Sequence, residues 1–344
     1  MYKVLIAMSG GVDSSIAAYL LKQQGFDCAG ITMKVIDNDD TGLKDACNIA
    51  NSMGFPFYTE NLIEDFEKQV IDTFIKVYQN GSTPNPCVDC NRYIKFQKLF
   101  LRAKQLGMDY FATGHYARIE FNGETGRYLL KKAIDETKDQ SYFLYTLKQE
   151  HLSRTLFPLG ILRKTEVREI AKKQGFKNAD KHDSQNLCFV PDGCYADFIE
   201  QRMGRTYDSG DFTDLHGNIL GRHKGIIRYT IGQRKGLDLS LNKPMYVHSK
   251  NIKDNTVILS ENDQLFGQSL EAENFNFISC DKINSPVRLK TKIRYNQTGQ
   301  WSTVTQISSD SVHIEFDEKQ RAIAKGQSAV LYDGDIVVGG GTII

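Results

Sequence analysis

The chain has 344 residues, 40% of them hydrophobic and 25% charged, with 43 Lys+Arg against 42 Asp+Glu and a net charge of +1. Those figures describe a folded chain of two or three domains and exclude a disordered one. They also exclude a protein held to nucleic acid by bulk positive charge, although a local basic patch survives such an average.

The first apolar run, Val4 to Met8, is too short for a signal-peptide core and stops at Gly10-Gly11. No later stretch approaches the ~20 apolar residues of a membrane span. A cytoplasmic location with no membrane partner is the expectation, with the seven cysteines kept as thiols. Strands and helices then alternate. Lys3 to Met8 reads as a buried strand, Ser14 to Gln24 as a helix, and Asp27 to Met33 as a second strand. Gly42 to Met53 is helical, Phe55 to Thr59 a third strand, and Leu62 to Tyr78 a long amphipathic helix. A helix over Ile94 to Leu106 precedes a strand over Tyr110 to Thr113, and Leu162 to Gln174 is a further helix. Such alternation predicts an α/β fold, a parallel sheet with helices on both faces. From about residue 200 turn pairs multiply, as at Ser209-Gly210 and Lys235-Gly236. A small mixed module is predicted over 200–262 after a first domain over 1–199. Short alternating runs over 263–344 (Val287 to Tyr295, Ser302 to Ile307, Ser311 to Phe316, Ser328 to Tyr332) predict a C-terminal β-barrel. Trp301 and the aromatics around it are expected in the barrel core.

Met8-Ser-Gly-Gly-Val-Asp-Ser-Ser15 joins the first strand to the first helix. Two glycines permit a tight turn that presents N–H groups, and the helix N-terminus adds its positive dipole end. The loop lacks the Lys-Ser/Thr ending of a Walker A motif. It resembles the S-G-G-x-D-S pyrophosphate loop of the N-type ATP pyrophosphatases, or PP-loop superfamily, which hold the β- and γ-phosphates of ATP as a leaving group. In that picture Asp13 either orders the loop or faces Mg²⁺.

Thr83-Pro-Asn-Pro-Cys87-Val-Asp-Cys90-Asn-Arg-Tyr-Ile-Lys-Phe96 is a rigid turn entering a helix. Cys90 is expected near that helix's start, where the dipole, Arg92 and Lys95 lower a thiol pKa. Cys87 and Cys90 form a C-x-x-C pair, which by itself means a redox pair, half a zinc site or part of an iron–sulfur site. Cys188 is the nearest further candidate and Cys194 a more distant one, while Cys28, Cys47 and Cys280 read as packing residues.

Several motifs together resemble the tRNA-specific 2-thiouridylases, the MnmA family. They are residues 9–15, Thr-Pro-Asn-Pro (83–86) with Cys90 to Phe96, Ala-Thr-Gly-His-Tyr-Ala-Arg (112–118) and Lys-Asp-Gln-Ser-Tyr-Phe-Leu (138–144). Ser-Gln-Asn-Leu-Cys-Phe (184–189), Tyr-Thr-Ile-Gly-Gln-Arg-Lys-Gly-Leu (229–237) and Gly-Gln-Ser-Ala-Val (326–330) follow in the family's order. The resemblance implies a three-domain chain: an ATP pyrophosphatase domain of adenine nucleotide alpha hydrolase type, then a central connector and a C-terminal barrel that bind tRNA. It implies ATP held by Ala7, Met8, Ser9, Gly10, Gly11, Val12, Asp13 and Ser14, with Met33 near the adenine and Gly114 close to the nucleotide. Cys188 corresponds to the cysteine that carries a persulfide, and Cys90 to its partner thiol, able to close a transient disulfide with Cys188. His115, Lys138, Asp139, Gln140, Arg294, Tyr295 and Gln327 match positions that touch tRNA. The implied reaction is 2-thiolation of the wobble uridine of tRNAs for Lys, Glu and Gln, fed by a sulfur-donor protein. ATP with Mg and persulfide sulfur are the implied cofactors.

One departure bears on the chemistry. The family often has Asp where this chain has Cys87, so Cys87, Cys90 and Cys188 are also a set that a [4Fe–4S] cluster would use. Two other classes of protein carry a similar loop: adenylating ligases of the argininosuccinate synthase or GMP synthase type, and RNA-binding proteins with a relic ATP loop. Paired reactive cysteines argue against the first and the intact loop against the second. The charge resolves by segment. Arg222, Lys224, Arg228, Arg234 and Lys235 occur with no acid between Asp214 and Asp238, and none occurs between Asp281 and Asp310. Arg288, Lys290, Lys292 and Arg294 alternate along the latter stretch, so on one strand they share a face that suits phosphates.

Overall fold

The computed structural model describes residues 1–37, 41–176, 178, 187–190 and 193–344. The stretch 179–186, with the first half of the 184–189 motif, lies outside the described residues.

Five strands form a parallel sheet in the order β3-β2-β1-β4-β7. They are β1 (Lys3–Ala7), β2 (Asp27–Lys34), β3 (Phe57–Asn61), β4 (Tyr110–Thr113) and the short β7 (Thr155–Leu156). Val4, Leu5 and Ile6 are wholly buried, as a central strand covered on both faces requires. The covering helices include α1 (Val12–Gln23), α2 (Thr41–Ser52) and α3, a continuous helical run over 63–79. A second continuous run, α4, covers 86–105, and α5 is Lys164–Lys173. Pro86 opens α4, the position a helix tolerates for proline, so this helix begins eight residues before the predicted Ile94 start. Its central part, Cys90–Leu99, is wound with i→i+5 hydrogen bonds; the Phe100 N–H, for example, donates to the Lys95 carbonyl.

A hairpin not expected from the sequence, β5 (Ala117–Asn122) and β6 (Arg127–Lys132), leaves this domain. It pairs through Lys131 with Ile336 in the C-terminal barrel, so the barrel's sheet extends into the first domain. Salt bridges from Arg118 and Lys131 to Asp335 sit at that junction. After α6 (Tyr195–Met203) comes a four-stranded sheet in the order β10-β11-β8-β9. Its strands are β8 (Gly210–Thr213), β9 (Ile219–His223), β10 (Tyr246–Asn251) and β11 (Thr256–Ser260). Stacking of Tyr78 on Tyr195, 4.4 Å between centroids, and a bond from Gln79 to the Tyr207 hydroxyl hold it against α3.

The last 79 positions from Phe266 hold β12 (Phe266–Phe277), β13 (Val287–Lys292), β14 (Gln300–Gln306), β15 (Val312–Arg321), β16 (Ser328–Asp333) and β17 (Ile336–Ile343). The order β12-β15-β14-β13-β16-β17 closes through β12–β17 pairing, so the predicted barrel is a closed six-stranded one. Alternation on β13 turns Leu289 and Thr291 inward and Arg288, Lys290 and Lys292 outward, as expected, but the strand ends at Lys292, and Arg294, expected on the same face, lies beyond it and donates to the Ala322 carbonyl. Trp301 corrects an expectation: it stands opposite Lys290 on the outer face and is 50% exposed. The neighbours Ser302 and Val304 take the inward positions, because one-residue alternation leaves Trp301 no other side.

Candidate active site

From β1 the chain builds outward to β2 and β3, then returns to set β4 on the other side of β1. Connections therefore leave β1 and β4 in opposite directions, and their carboxyl ends open a crevice. A cavity of about 350 Å³ fills it. Ala7, Met8, Ser9, Asp13 and Ser14 line one wall, Met33 another, and Thr113, Gly114 and His115 the third. Lys95, Gln140 and Cys188 reach the same cavity.

The loop after β1 is tied by its own hydroxyls. The Ser9 N–H donates to Ser14 Oγ at 3.1 Å, and Ser14 and Ser15 Oγ donate to the Gly11 carbonyl at 3.1 and 2.8 Å. Asn178 donates from outside to the Gly10 carbonyl and to Ser15 Oγ. Gly10 has φ +73°, and a Cβ there would stand 2.5 Å from the Gly42 carbonyl oxygen. α1 starts with no side-chain cap. Its first-turn N–H groups, which have no intrahelical acceptors, are the donors an anion would take. Gly114 lies flat against this turn: a Cβ on it would be 2.8 Å from the Ser14 nitrogen and 2.9 Å from the Asp13 carbonyl carbon.

Asp13 is bound within the protein by Lys164 and Tyr116. Both its oxygens accept from Lys164 Nζ at 2.8 and 2.7 Å, and one accepts from the Tyr116 hydroxyl at 2.8 Å. Lys164 is buried, whereas Asp13 keeps 31% of its side chain in solvent. Breaking a fully buried pair costs about 3–5 kcal/mol, and the exposure of Asp13 reduces this to about 2. Lys164→Met is therefore expected to lower stability by about 2 kcal/mol and to raise the KM for ATP about tenfold. Urea unfolding and ATP titration of pyrophosphate release check this; an unchanged KM would remove Lys164 from the site.

The thiols depart from expectation. Cys90 lies one turn inside α4 rather than at its start, and burial pushes its thiol up to about 11. Cys87 and Cys188 reach solvent at their surface, yet each sits in a recess whose surrounding protein holds its thiol above the ordinary range. The three are close enough that negative charge on Cys87 or Cys188 disfavours charge on Cys90. Lys95 opposes these effects at all three. Arg92, expected to help, instead faces Asp89, whose carboxyl burial raises to about 6. His115 is buried, with Nδ1 2.7 Å from Thr113 Oγ1 and Nε2 3.4 Å from Lys95 Nζ. An ammonium only donates, so Nε2 accepts and Nδ1 carries the proton toward Thr113. Burial, then Lys95, keeps this imidazole neutral well below the ordinary histidine range. The described residues contain no group of three or more His, Cys, Asp or Glu able to hold a metal ion. The thiols thus share a neighbourhood without forming a ligand set, and no step is assigned to a cluster.

Three family models divide the chain. Residues 2–192 match the tRNA methyl transferase HUP domain, 196–261 the tRNA methyl transferase PRC-barrel domain, and 267–343 the aminomethyltransferase beta-barrel domain. The tRNA-specific 2-thiouridylase MnmA of Clostridioides difficile (strain 630) is 51% identical over 99% of this chain and 98% of that protein. A relative of the same name from Thermoanaerobacter sp. (strain X514) is 48% identical over 99% and 97%. One from Lachnoclostridium phytofermentans is 47% identical over the whole of both. The chain belongs to the tRNA-specific 2-thiouridylase family. Its architecture is the family's: a parallel-sheet PP-loop domain, a PRC-barrel and a closed β-barrel. Among the described residues no helix is long and apolar enough to cross a membrane.

The residues that the 2-thiouridylase resemblance singles out fall into two places. Those assigned to ATP surround the cavity or build its loop, with His115, Gln140 and Cys188 beside them. Gln140 is anchored there by accepting from the Tyr116 N–H. The rest are not among the residues that line the cavity. Asp139 turns its carboxylate inward, accepting from Ala133 N, Ser141 N and Ser141 Oγ, while Lys138 is half-buried beside it. Tyr295 packs its ring, tilted by 36°, against Phe143 with centroids 4.4 Å apart, and Arg294 donates to the Ala322 carbonyl. Gln327 donates to the carbonyls of Thr83 and Pro84, clamping the turn before α4 to the barrel. Cys28 is buried as expected, with Cys47 and Cys280 half-buried. Two residues of the site escaped the sequence reading. Asn178 left no signal. Lys164 did: a lysine in the first turn of a helix opposes the dipole, which is a reason to look for a carboxylate partner.

Proposed function

We propose that this chain catalyses ATP-dependent 2-thiolation of the wobble uridine in tRNA, releasing AMP and pyrophosphate. The observation that carries the reading is that the phosphate-loop residues and Cys188 line one cavity. The uracil C2 oxygen is a poor leaving group. It attacks the α-phosphate of ATP, pyrophosphate departs toward the loop and the α1 N-terminus, and the oxygen becomes part of AMP. ATP enters as its magnesium complex; Asp13, committed to Lys164 and Tyr116, is not assigned as a metal ligand. The outer sulfur of a Cys188 persulfide then attacks C2 and AMP leaves. The Cys90 thiolate attacks the inner sulfur, the bond between Cys188 and the transferred sulfur breaks, and that electron pair stays on 2-thiouridine. A Cys90–Cys188 disulfide results, which a dithiol reductant resets before another protein reloads Cys188 with persulfide sulfur. Access to C2 requires the base to leave its stack. Gln140, Phe143, Tyr295 and Arg294 are assigned to the anticodon loop, with tRNAs for Lys, Glu and Gln as acceptors, while the wholly buried Tyr142 packs against Phe143 and Tyr295. Reconstitution with ATP, tRNA and a persulfide donor tests this. One AMP and one pyrophosphate per 2-thiouridine are expected, and thiolation without ATP cleavage would overturn it.

The barrel's outer face is assigned to tRNA phosphates. Arg288 is already engaged by both oxygens of Asp317 at 2.6 and 2.5 Å, Lys290 lies over the Trp301 ring, and the partly desolvated Lys292 lies over the Tyr142 and Tyr295 rings, so phosphate would compete with these contacts. Neutralising Arg288, Lys290 and Lys292 together is expected to weaken tRNA binding and to reduce the salt slope by about one for each phosphate that is no longer neutralised. Filter binding at several salt concentrations measures both; an unchanged slope would take this face out of the interface.

A further inference from the structure

The surroundings of Cys87, Cys90 and Cys188 raise each thiol above its ordinary range, most plainly the half-buried Cys90, yet sulfur exchange proceeds through thiolates. A compensating cation is needed, and the winding of α4 supplies one. In a regular α-helix residues five apart lie about 140° apart around the axis, so Cys90 and Lys95 would diverge. Here the Cys90–Leu99 segment is wound with i→i+5 bonds, which makes Cys90 and Lys95 neighbours across one turn. Such segments tend to mark functional sites. The lysine is also aimed: it lines the cavity beside Cys188, with Nζ 3.4 Å from His115 Nε2. That imidazole is neutral and accepts from Lys95, so it fixes the ammonium without cancelling its charge.

We propose that Lys95, aligned by the wide helical winding and held by His115, is the positioning residue that stabilises the Cys90 thiolate and the Cys188 persulfide anion. This rests on the assignment of sulfur transfer to Cys90 and Cys188. When the Cys90 thiol ionises, its proton goes to solvent and the sulfur's charge is met by Lys95 Nζ. Other described groups facing the thiols work against ionisation: Asp89 on the same helix acts on Cys87 and Cys90, and Cys87 acts on both Cys90 and Cys188. Cys188 likewise acts against charge on Cys90. His115, two residues past β4, is neutral and bonded to Lys95, and Arg92 lies over the Tyr93 ring and acts on Asp89.

The test reads thiol ionisation directly, with neither tRNA nor ATP. The full-length protein is alkylated with iodoacetamide from pH 7 to pH 11, and modification of Cys90 and Cys188 is followed by peptide mass spectrometry. Lys95→Met is expected to move the profile of Cys90 alkaline by about one pH unit, and Lys95→Arg to restore it. Lys95→Gln keeps a donor to His115 but no charge, and carries the same expectation if the Met variant does not fold. Superimposable profiles for the native and uncharged variants would overturn the proposal. Failure of the thiolation reading would appear separately, as native thiol profiles in a protein that forms no 2-thiouridine.

Discussion

Cys188→Ser is expected to abolish 2-thiouridine formation while preserving a burst of pyrophosphate. In the proposed reaction adenylation uses the phosphate loop, the α1 N-terminus and the Gly114 strand end, which meet at one cavity, and none of these requires a thiol. Sulfur transfer does require one, because a serine hydroxyl cannot carry a persulfide. Loss of a covalent nucleophile costs about 10³-fold or more. The expected pattern is split: single-turnover pyrophosphate near the native amplitude, and thiolation below detection. Cys90→Ser should leave the first step equally intact, but stall with sulfur still linked to Cys188. Rapid-quench measurement of pyrophosphate beside nucleoside analysis reads both steps. Loss of the burst in Cys188→Ser would mean that this cysteine serves the loop and not the sulfur.

The second large effect belongs to the smallest substitution. Gly114→Ala adds one methyl group, which would sit 2.8 Å from the Ser14 nitrogen and 2.9 Å from the Asp13 carbonyl carbon. Both are backbone atoms of the first turn of α1, and neither has a rotamer to escape into. The overlap must be relieved by moving β4 away from the phosphate loop, which enlarges the crevice proposed to bind ATP. Overpacking of this kind costs about 1–3 kcal/mol of stability. The effect on ATP is expected to be larger, a rise in KM of about 100-fold, because misplacing binding groups by an ångström is enough for that. Alanine at Gly123, where a Cβ would meet nothing within 4 Å, is the control and should behave as the native protein. Equal KM values for the two variants would show that the close approach of strand end and loop does not shape the site.

Much of this site was legible from the sequence because its parts are local. The phosphate loop is read from Ser9 to Ser15, since a strand, two glycines and a helix start suffice to form an anion cradle. Parallel strands announced themselves through buried apolar runs such as Val4 to Ile6. What stayed hidden depends on partners distant in sequence. The Asp13–Lys164 pair spans 151 positions, and nothing in either neighbourhood names the other. The β5–β6 hairpin was missed because its barrel partner is β17, about 200 positions on, so its pairing is invisible from local pattern. Trp301 was misplaced because aromatic content was read as core without asking which face its register gives. The ionisation of Cys90 was misjudged for a related reason. Helix-dipole reasoning assumed an exposed helix start, whereas Pro86 begins the helix a turn earlier and packing buries the thiol.

The most direct test of the proposed activity is mass analysis of tRNA nucleosides, made from cells with and without this chain as their sole candidate enzyme. The expected result is 2-thiouridine derivatives at the wobble position in tRNAs for Lys, Glu and Gln only when the chain is present, and their absence with Cys188→Ser. Identical nucleoside profiles with and without the chain would contradict it.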